Sequence, residues 1–296
     1  MRERLVAFPG TCGELFQGTL GGTPCLVSCP IDRMARLKVS RSPGEGLFVP
    51  PAMTKTRRAV GIALGRWSSA GGAVRVERVE ALPEGKGYAS STADILGALY
   101  GLSSLDGRPL APEEATRIAL SVEPTDSLAW PGLALLDHRN GEIMEYLGTP
   151  PPMSVLVLDW GGTMDTEEFN RRDAGGILSR LASVHAESFG LVRDGILKGD
   201  AATIGEGASL SAAAAGLLRD MSHLDECRAL SRSLGGYGVC AAHSGTLYGI
   251  LMPPDAPRRY GRIADLAGTA LSPGWEGALH AVVPGGPRTG DERNAS

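Results

Sequence analysis

The chain has 296 residues, of which 43% are hydrophobic and 21% charged; 29 basic and 33 acidic side chains leave a formal net charge of −4. This hydrophobic content excludes an intrinsically disordered protein. The mildly acidic balance argues against a general nucleic-acid binder, whose footprint is a basic stripe.

Arg4 to Phe8 reads as a short strand, too brief in its apolar run for a signal peptide. No later stretch reaches the roughly 18 uninterrupted apolar residues of a membrane span, so the expectation is a cytoplasmic protein with no membrane partner. The length suits one large or two modest domains. Five cysteines (Cys12, Cys25, Cys29, Cys227 and Cys240) are an odd number and read as reduced structural thiols. Pro9 to Gly18 reads as a loop after the first strand. Cys25–Cys29 and Ala35–Val39 read as two strands parted by a turn at Pro30 and Asp32. Thr56 to Trp67 reads as a helix and Val74 to Glu80 as a strand.

After Gly85-Lys86-Gly87 the period changes. Ala93, Leu96, Leu99 and Tyr100 recur at helical spacing, and Ser90 or Ser91 is placed to cap that helix. A second helix begins at Pro112-Glu113-Glu114, with proline in its first turn and acids at its positive end. The run Thr149-Pro150-Pro151-Pro152 is the candidate domain boundary. Beyond it come a strand at Val155–Leu158, helices at Leu178–Leu197 and Ala201–Leu218, a strand pair within Gly236–Leu251, and a last strand at Leu279–Val283. The tail from Gly285 is polar and expected to be mobile. Two successive sets of mixed elements argue for an α+β fold.

Four segments have the residue types that chemistry needs. In Pro83-Glu84-Gly85-Lys86-Gly87-Tyr88-Ala89-Ser90-Ser91-Thr92, glycines permit a sharp turn and close ligand approach. The helix that follows points free N–H groups at the same place, where phosphate binds well. Three hydroxyls in a row suit phosphate oxygens or Mg²⁺, a hard cation. Lysine occurs only at 38, 55, 86 and 198, against 25 arginines, which draws attention to Lys86 inside this loop. A plain capped turn is the competing reading. In Glu123-Pro124-Thr125-Asp126, one carboxylate is suited to a metal and the other to orienting or deprotonating a hydroxyl; two surface acids at a helix end are the alternative. Around Glu14, small residues suit a substrate loop or a hairpin turn. In Ala242-His243-Ser244-Gly245, a tight turn offers His243, Ser244 and backbone N–H groups to an anion, although a lone histidine is more often structural.

Together these segments resemble the GHMP kinases, and within them the branch acting on free L-threonine for cobalamin assembly. The matching stretches are Cys12-Gly13-Glu14-Leu15 with Gln17-Gly18, Leu26 to Asp32, Lys86-Gly87 with Ala89 to Ile95, and Glu123 to Ser127. They continue through Asp137-His138, Ala242 to Gly245 and Val283 to Gly286, so the likeness runs from residue 9 to residue 286. It implies an N-terminal domain (1–150) like the second domain of ribosomal protein S5, a C-terminal ferredoxin-like α/β sandwich (151–286) and a polar tail (287–296). It implies ATP against the loop from Pro83 to Thr92, with Mg²⁺ held by Ser91 and Glu123, Ser90 and Thr92 being alternatives to Ser91. Asp126 is implied as the base or as a ligand of the substrate ammonium. Cys12, Glu14, Asp32, His243 and Ser244 are the other candidates for the acceptor pocket. The family loop usually has leucine where Tyr88 stands, a position that can pack outward. The implied reaction is phosphoryl transfer from ATP to the side-chain hydroxyl of L-threonine, giving O-phospho-L-threonine, the precursor of the aminopropanol linker. Serine, homoserine or another small hydroxylated metabolite is the alternative acceptor, and a catalytically silent ligand sensor the alternative function.

Overall fold

A computed structural model describes residues 2–67, 71–161, 180–218, 221, 223–242, 245–259 and 275–289. In chain order its elements are β1 (Arg2–Leu20), β2 (Thr23–Ser42), β3 (Leu47–Phe48), α1 (Thr54–Arg66), β4 (Ala73–Glu80), α2 (Ser90–Leu105) and α3 (Pro112–Leu120). They continue as β5 (Leu133–Asp137), β6 (Met144–Gly148), β7 (Ser154–Asp159), α4 (Ala182–Lys198), α5 (Ala201–Ala215), α6 (Leu224–Ser233), β8 (Gly238–Ala241), β9 (Leu247–Met252), α7 (Ala256–Arg259), β10 (Glu276–Ala281) and β11 (Arg288–Thr289).

The organising feature is a long ribbon of β1 and β2, joined at Gly21-Gly22, where φ is +59° and +88°. Two successive positive φ values are what a two-residue hairpin turn of the right twist requires, and glycine supplies them without steric cost. One sheet runs β10-β7-β9-β8-β1-β2-β4-β3, with β11 beside β1 and the β5–β6 hairpin beside β2. Among the described residues only β3 and β4 pair in parallel. The strands after the proline run therefore join the same sheet as those before it: β8 meets β1 at Glu14↔Ala241, and β11 pairs with β1 at Val6 and Ala7.

Two expectations are corrected here. Pro9 to Gly18 is the irregular middle of β1, not a loop, with register shifts at Pro9/Gly10, Thr11/Glu14 and Glu14/Phe16. Bulges accommodate proline and glycine without ending the ladder, and they redirect side chains such as Glu14. Likewise Cys25 to Val39 is one strand, not two, because the turn residues Pro30 and Asp32 lie within β2.

Helix α2 packs against the ribbon at Gly97 and Gly101, where a Cβ would meet Leu37 and Val39. Its Ile95, Leu96, Leu99 and Leu102 are buried, each contributing about 1.5–3 kcal/mol. That anchoring fixes the start of α2, where the glycine-rich loop ends. Helices α4 and α5 hold the far end of β1: Thr19 N–H donates to His185 Nδ1 at 3.1 Å, and Gln17 N–H to Ser211 Oγ at 3.0 Å. A side chain at Gly18 would run into the His185 ring. At the chain's end, Gly286 N–H donates to Leu128 O, and Arg288 begins β11 beside β1. Residues 178 and 179 of the expected helix and 290–296 of the tail lie outside the described residues.

Candidate active site

The loop before α2 is oriented by its carbonyls. Lys86 O accepts from Thr246 N–H at 2.9 Å, Gly87 O from the Thr11 hydroxyl at 2.9 Å, and Tyr88 O from Thr11 N–H at 3.1 Å. The described peptide bonds are all trans. In a trans peptide the C=O and the next N–H point in opposite directions. The N–H groups of Gly87, Tyr88 and Ala89 are therefore turned away from β1 and the β8–β9 turn. Gly87, Tyr88 and Ala89 line a cleft of about 670 Å³. The N-terminus of α2 adds its partial positive charge. Glycine is required at 87, where φ is +104° and a Cβ would lie 2.3 Å from the Ala242 Cβ.

No serine caps α2, contrary to expectation. Ala89 occupies the cap position in the left-handed region, at φ 55°. Of the two serines expected as the cap, Ser91 is engaged with Glu123 instead. Ser91 donates to Glu123 Oε1, whose other oxygen, Oε2, lies 2.5 Å from Lys55 Nζ. Thr92 donates to Asp126 Oδ2 at 3.0 Å and lies 3.1 Å from Thr125 Oγ1. Burial, with the Glu14 carboxylate nearby, pushes the Asp126 carboxyl up to about 7, against the opposing pull of the Thr92 hydrogen bond.

Glu14, Gln17, Leu26 and His138 line the cleft beside Asp126. Ala52 to Thr56, at the start of α1, and Arg78 with Asp94 line it elsewhere. Arg78 forks between Asp94 and Glu84, the latter at 3.0 Å. Burial raises Asp94 to about 6 despite the adjacent guanidinium.

The structure thus brings together Glu14, Gly85, Gly87, Tyr88, Ala89, Ser90, Ser91, Thr92, Glu123 and Asp126 of the residues expected from the sequence. Tyr88 does not pack outward: it is buried, with the Arg33 guanidinium 4.7 Å from its ring centre. Four expected residues are outside the cleft lining. Pro83 precedes it. Lys86 turns its ammonium to Asp159 at 2.7 Å. Cys12 is fully buried behind the ribbon, where Cys240 Sγ donates to its carbonyl at 3.4 Å. Asp32, within β2, pairs with His280 of β10 at 2.8 Å. His243 and Ser244 lie outside the described residues; their neighbours Ala242 and Gly245 pack on Gly87 and Lys86. Sequence reasoning gives no site role to Lys55 or Arg78, nor to Gln17, Asp94 and His138, which lie within the stretches that carry the resemblance. Lysine scarcity draws as much attention to Lys55 as to Lys86.

Ser91 Oγ and Glu123 Oε1 are hard oxygen donors already in contact, the donor type Mg²⁺ prefers. Among the described residues no group of three or more His, Cys, Asp or Glu could hold a metal unaided. The donor set therefore fits a cation that draws its other ligands from phosphate and water.

Residues 52–129 match the family described as the GHMP kinases N terminal domain. The chain is 30% identical over 247 residues to the L-threonine kinase of Citrobacter freundii, covering 82% of this chain and 84% of that one. It is 29% identical over 266 residues to the L-threonine kinase of Salmonella typhimurium, covering 87% and 86%. Among solved structures, homoserine kinase from Cytophaga hutchinsonii shares the fold at a TM-score of 0.73 and 15% identity over 98% of both chains. Mevalonate kinase of L. major does so at 0.69 and 16% identity over 97% of both.

Proposed function

The chain belongs to the GHMP kinase family and is an ATP-dependent kinase acting on an alcohol; on that premise we propose that its acceptor is the side-chain hydroxyl of free L-threonine, giving O-phospho-L-threonine and ADP. The observation that carries this reading is the meeting, in one cleft, of Asp126 with the Ser91–Glu123 pair and the amide-lined loop. The threonine kinases at 29–30% identity support the choice of acceptor.

In this reading the Gly87, Tyr88 and Ala89 amides and the α2 N-terminus receive the ATP phosphates. Positioning and charge neutralisation supply most of the catalysis, because the transferring phosphoryl group needs little covalent help. Ser91 and Glu123 would hold Mg²⁺, which would supply neutralisation of phosphate charge. Asp126 accepts the acceptor's hydroxyl proton at Oδ1 or Oδ2, with Thr92 orienting the carboxylate. Glu14, beside it, receives the threonine ammonium. No helix among the described residues is long and apolar enough to cross a membrane. With five free buried thiols, a cytoplasmic enzyme supplying the aminopropanol linker of adenosylcobalamin is the corresponding cellular role.

The proposal extends to a functional division near residue 150. The described cleft lining comes entirely from residues 14–138. The second half buttresses the loop from behind, through Thr246 and Asp159.

The test is incubation with ATP and a panel of threonine, serine, homoserine and other hydroxylated amino acids, with mass detection of products. O-phospho-L-threonine as the dominant product is expected. Phosphorylation of another panel member with threonine untouched overturns the acceptor assignment.

A further inference from the structure

Lys55 has no role in the reading above, yet it holds the same carboxylate that the reading gives to the metal. Its ammonium lies 2.5 Å from Glu123 Oε2 while Ser91 donates to Oε1, so both oxygens of Glu123 are engaged by donors from two different helices, α1 and α2. This is an odd position for a lysine. It is the second residue of α1, whose first turn contains no acid and whose cap residue, Met53, makes no side-chain cap. A cation in the first helical turn opposes the helix dipole, so the pair is not explained by stabilisation of α1. The Lys55 side chain is 54% exposed against 17% for Glu123, so the lysine is the partner with open space around it and the glutamate the enclosed one. Ala52 to Thr56 line the cleft on the same side.

We propose that Lys55 is a counter-ion that exchanges partners: it neutralises Glu123 while the cleft is empty, then releases that carboxylate to the divalent cation and pairs with a phosphate oxygen of the arriving nucleotide. The inference rests on the metal assignment above and adds a specific positioning residue to it. Its logic is charge balance. Without nucleotide, the ammonium competes with a divalent cation for one carboxylate, so metal alone binds poorly. With nucleotide, the phosphates offer the ammonium a stronger partner, and the carboxylate becomes available when phosphate oxygens can complete the metal's ligand set. A compact ammonium on a flexible stem can make this exchange, whereas a planar guanidinium would be held in a fork by the carboxylate.

The experiment uses the full-length protein without acceptor. Mn²⁺ binding is titrated by electron paramagnetic resonance in the absence of nucleotide, and ATP binding by calorimetry in the presence of Mg²⁺, for wild type and Lys55→Gln. Opposite shifts are expected: Mn²⁺ affinity rises about fivefold and ATP affinity falls about fivefold, the scale of one partly exposed ion pair. Any other pattern, including unchanged Mn²⁺ binding or both affinities falling together, overturns the exchange. Glu123→Gln separates this inference from its premise. If that variant retains wild-type Mn²⁺ binding in the presence of ATP, the metal assignment fails. If it loses Mn²⁺ while Lys55→Gln behaves as wild type, only the role of Lys55 fails. Neither measurement depends on threonine being the acceptor.

Discussion

The Lys86 ammonium lies 2.7 Å from the Asp159 carboxylate, which also accepts the Thr246 hydroxyl at 2.8 Å, while Thr246 N–H donates to Lys86 O at 2.9 Å. These three residues close a ring that ties the glycine-rich loop to β7 and β9. Burial pushes the Asp159 carboxyl upward, but the hydrogen bond from Lys86, with those from Gly161 N–H and Thr246, holds it below its ordinary value.

If the ring sets the direction of the loop amides, Asp159→Asn and Lys86→Met each weaken ATP binding by about tenfold, roughly 1.4 kcal/mol. The double variant should be no worse than either single one, because both remove the same interaction. Calorimetric titration with ATP measures this. A lysine acting directly on phosphate would instead leave Asp159→Asn unaffected.

Glu123→Gln keeps the shape of the side chain and removes its charge. Turnover with Mg²⁺ is expected to drop at least about tenfold at saturating ATP, about 1.4 kcal/mol of lost transition-state stabilisation. Steady-state kinetics check it, and unchanged turnover would remove Glu123 from the metal site.

Asp126 links activity to stability. Its carboxyl titrates near 7 in the folded protein because burial and the Glu14 charge disfavour ionisation, against about 3.9 in an unfolded chain. Between those values the folded state binds more protons, so this group's contribution to stability falls as pH rises and is fully lost above about 7. Asp126→Asn should therefore melt with wild type near pH 4 and several degrees above it at pH 8. The same variant should lose about a hundredfold or more in turnover, whereas wild-type turnover rises through pH 7 as the base ionises. A flat wild-type profile would argue that Asp126 binds the ammonium instead.

Away from the cleft, Arg41 and Asp106 form a two-pronged pair at 2.7 and 2.8 Å, each side chain only 5% exposed. Removing one partner strands the other charge. Asp106→Ala is expected to cost about 3–5 kcal/mol in urea unfolding, and Arg41→Lys to recover little, because an ammonium cannot reproduce the fork.

Local pattern made much of the fold legible. The period-3.6 stripe of α2, the proline and acids at the start of α3, and the strands at β4, β7 and β9 each follow from residues close in sequence. The bulged ribbon was not legible in the same way. Proline and glycine in Pro9–Gly18 signal a turn when read locally, and only pairing with β2 and β8 turns them into a bulged strand. The β5–β6 hairpin and α6 also escaped the reading.

The site divides along the same line. By itself the sequence determined which residues have the right chemistry: a glycine-rich loop, three hydroxyls, Glu123 and Asp126, whose types and spacing are set by short-range geometry. The tertiary structure decided which partners they meet. It gave Ser91 to Glu123, Thr92 to Asp126, and Lys86 to a strand more than seventy residues away. It also brought Lys55 from α1 to the Glu123 carboxylate. Charges pair by distance in space, and that distance is set by packing of the sheet and helices, which no local spacing encodes.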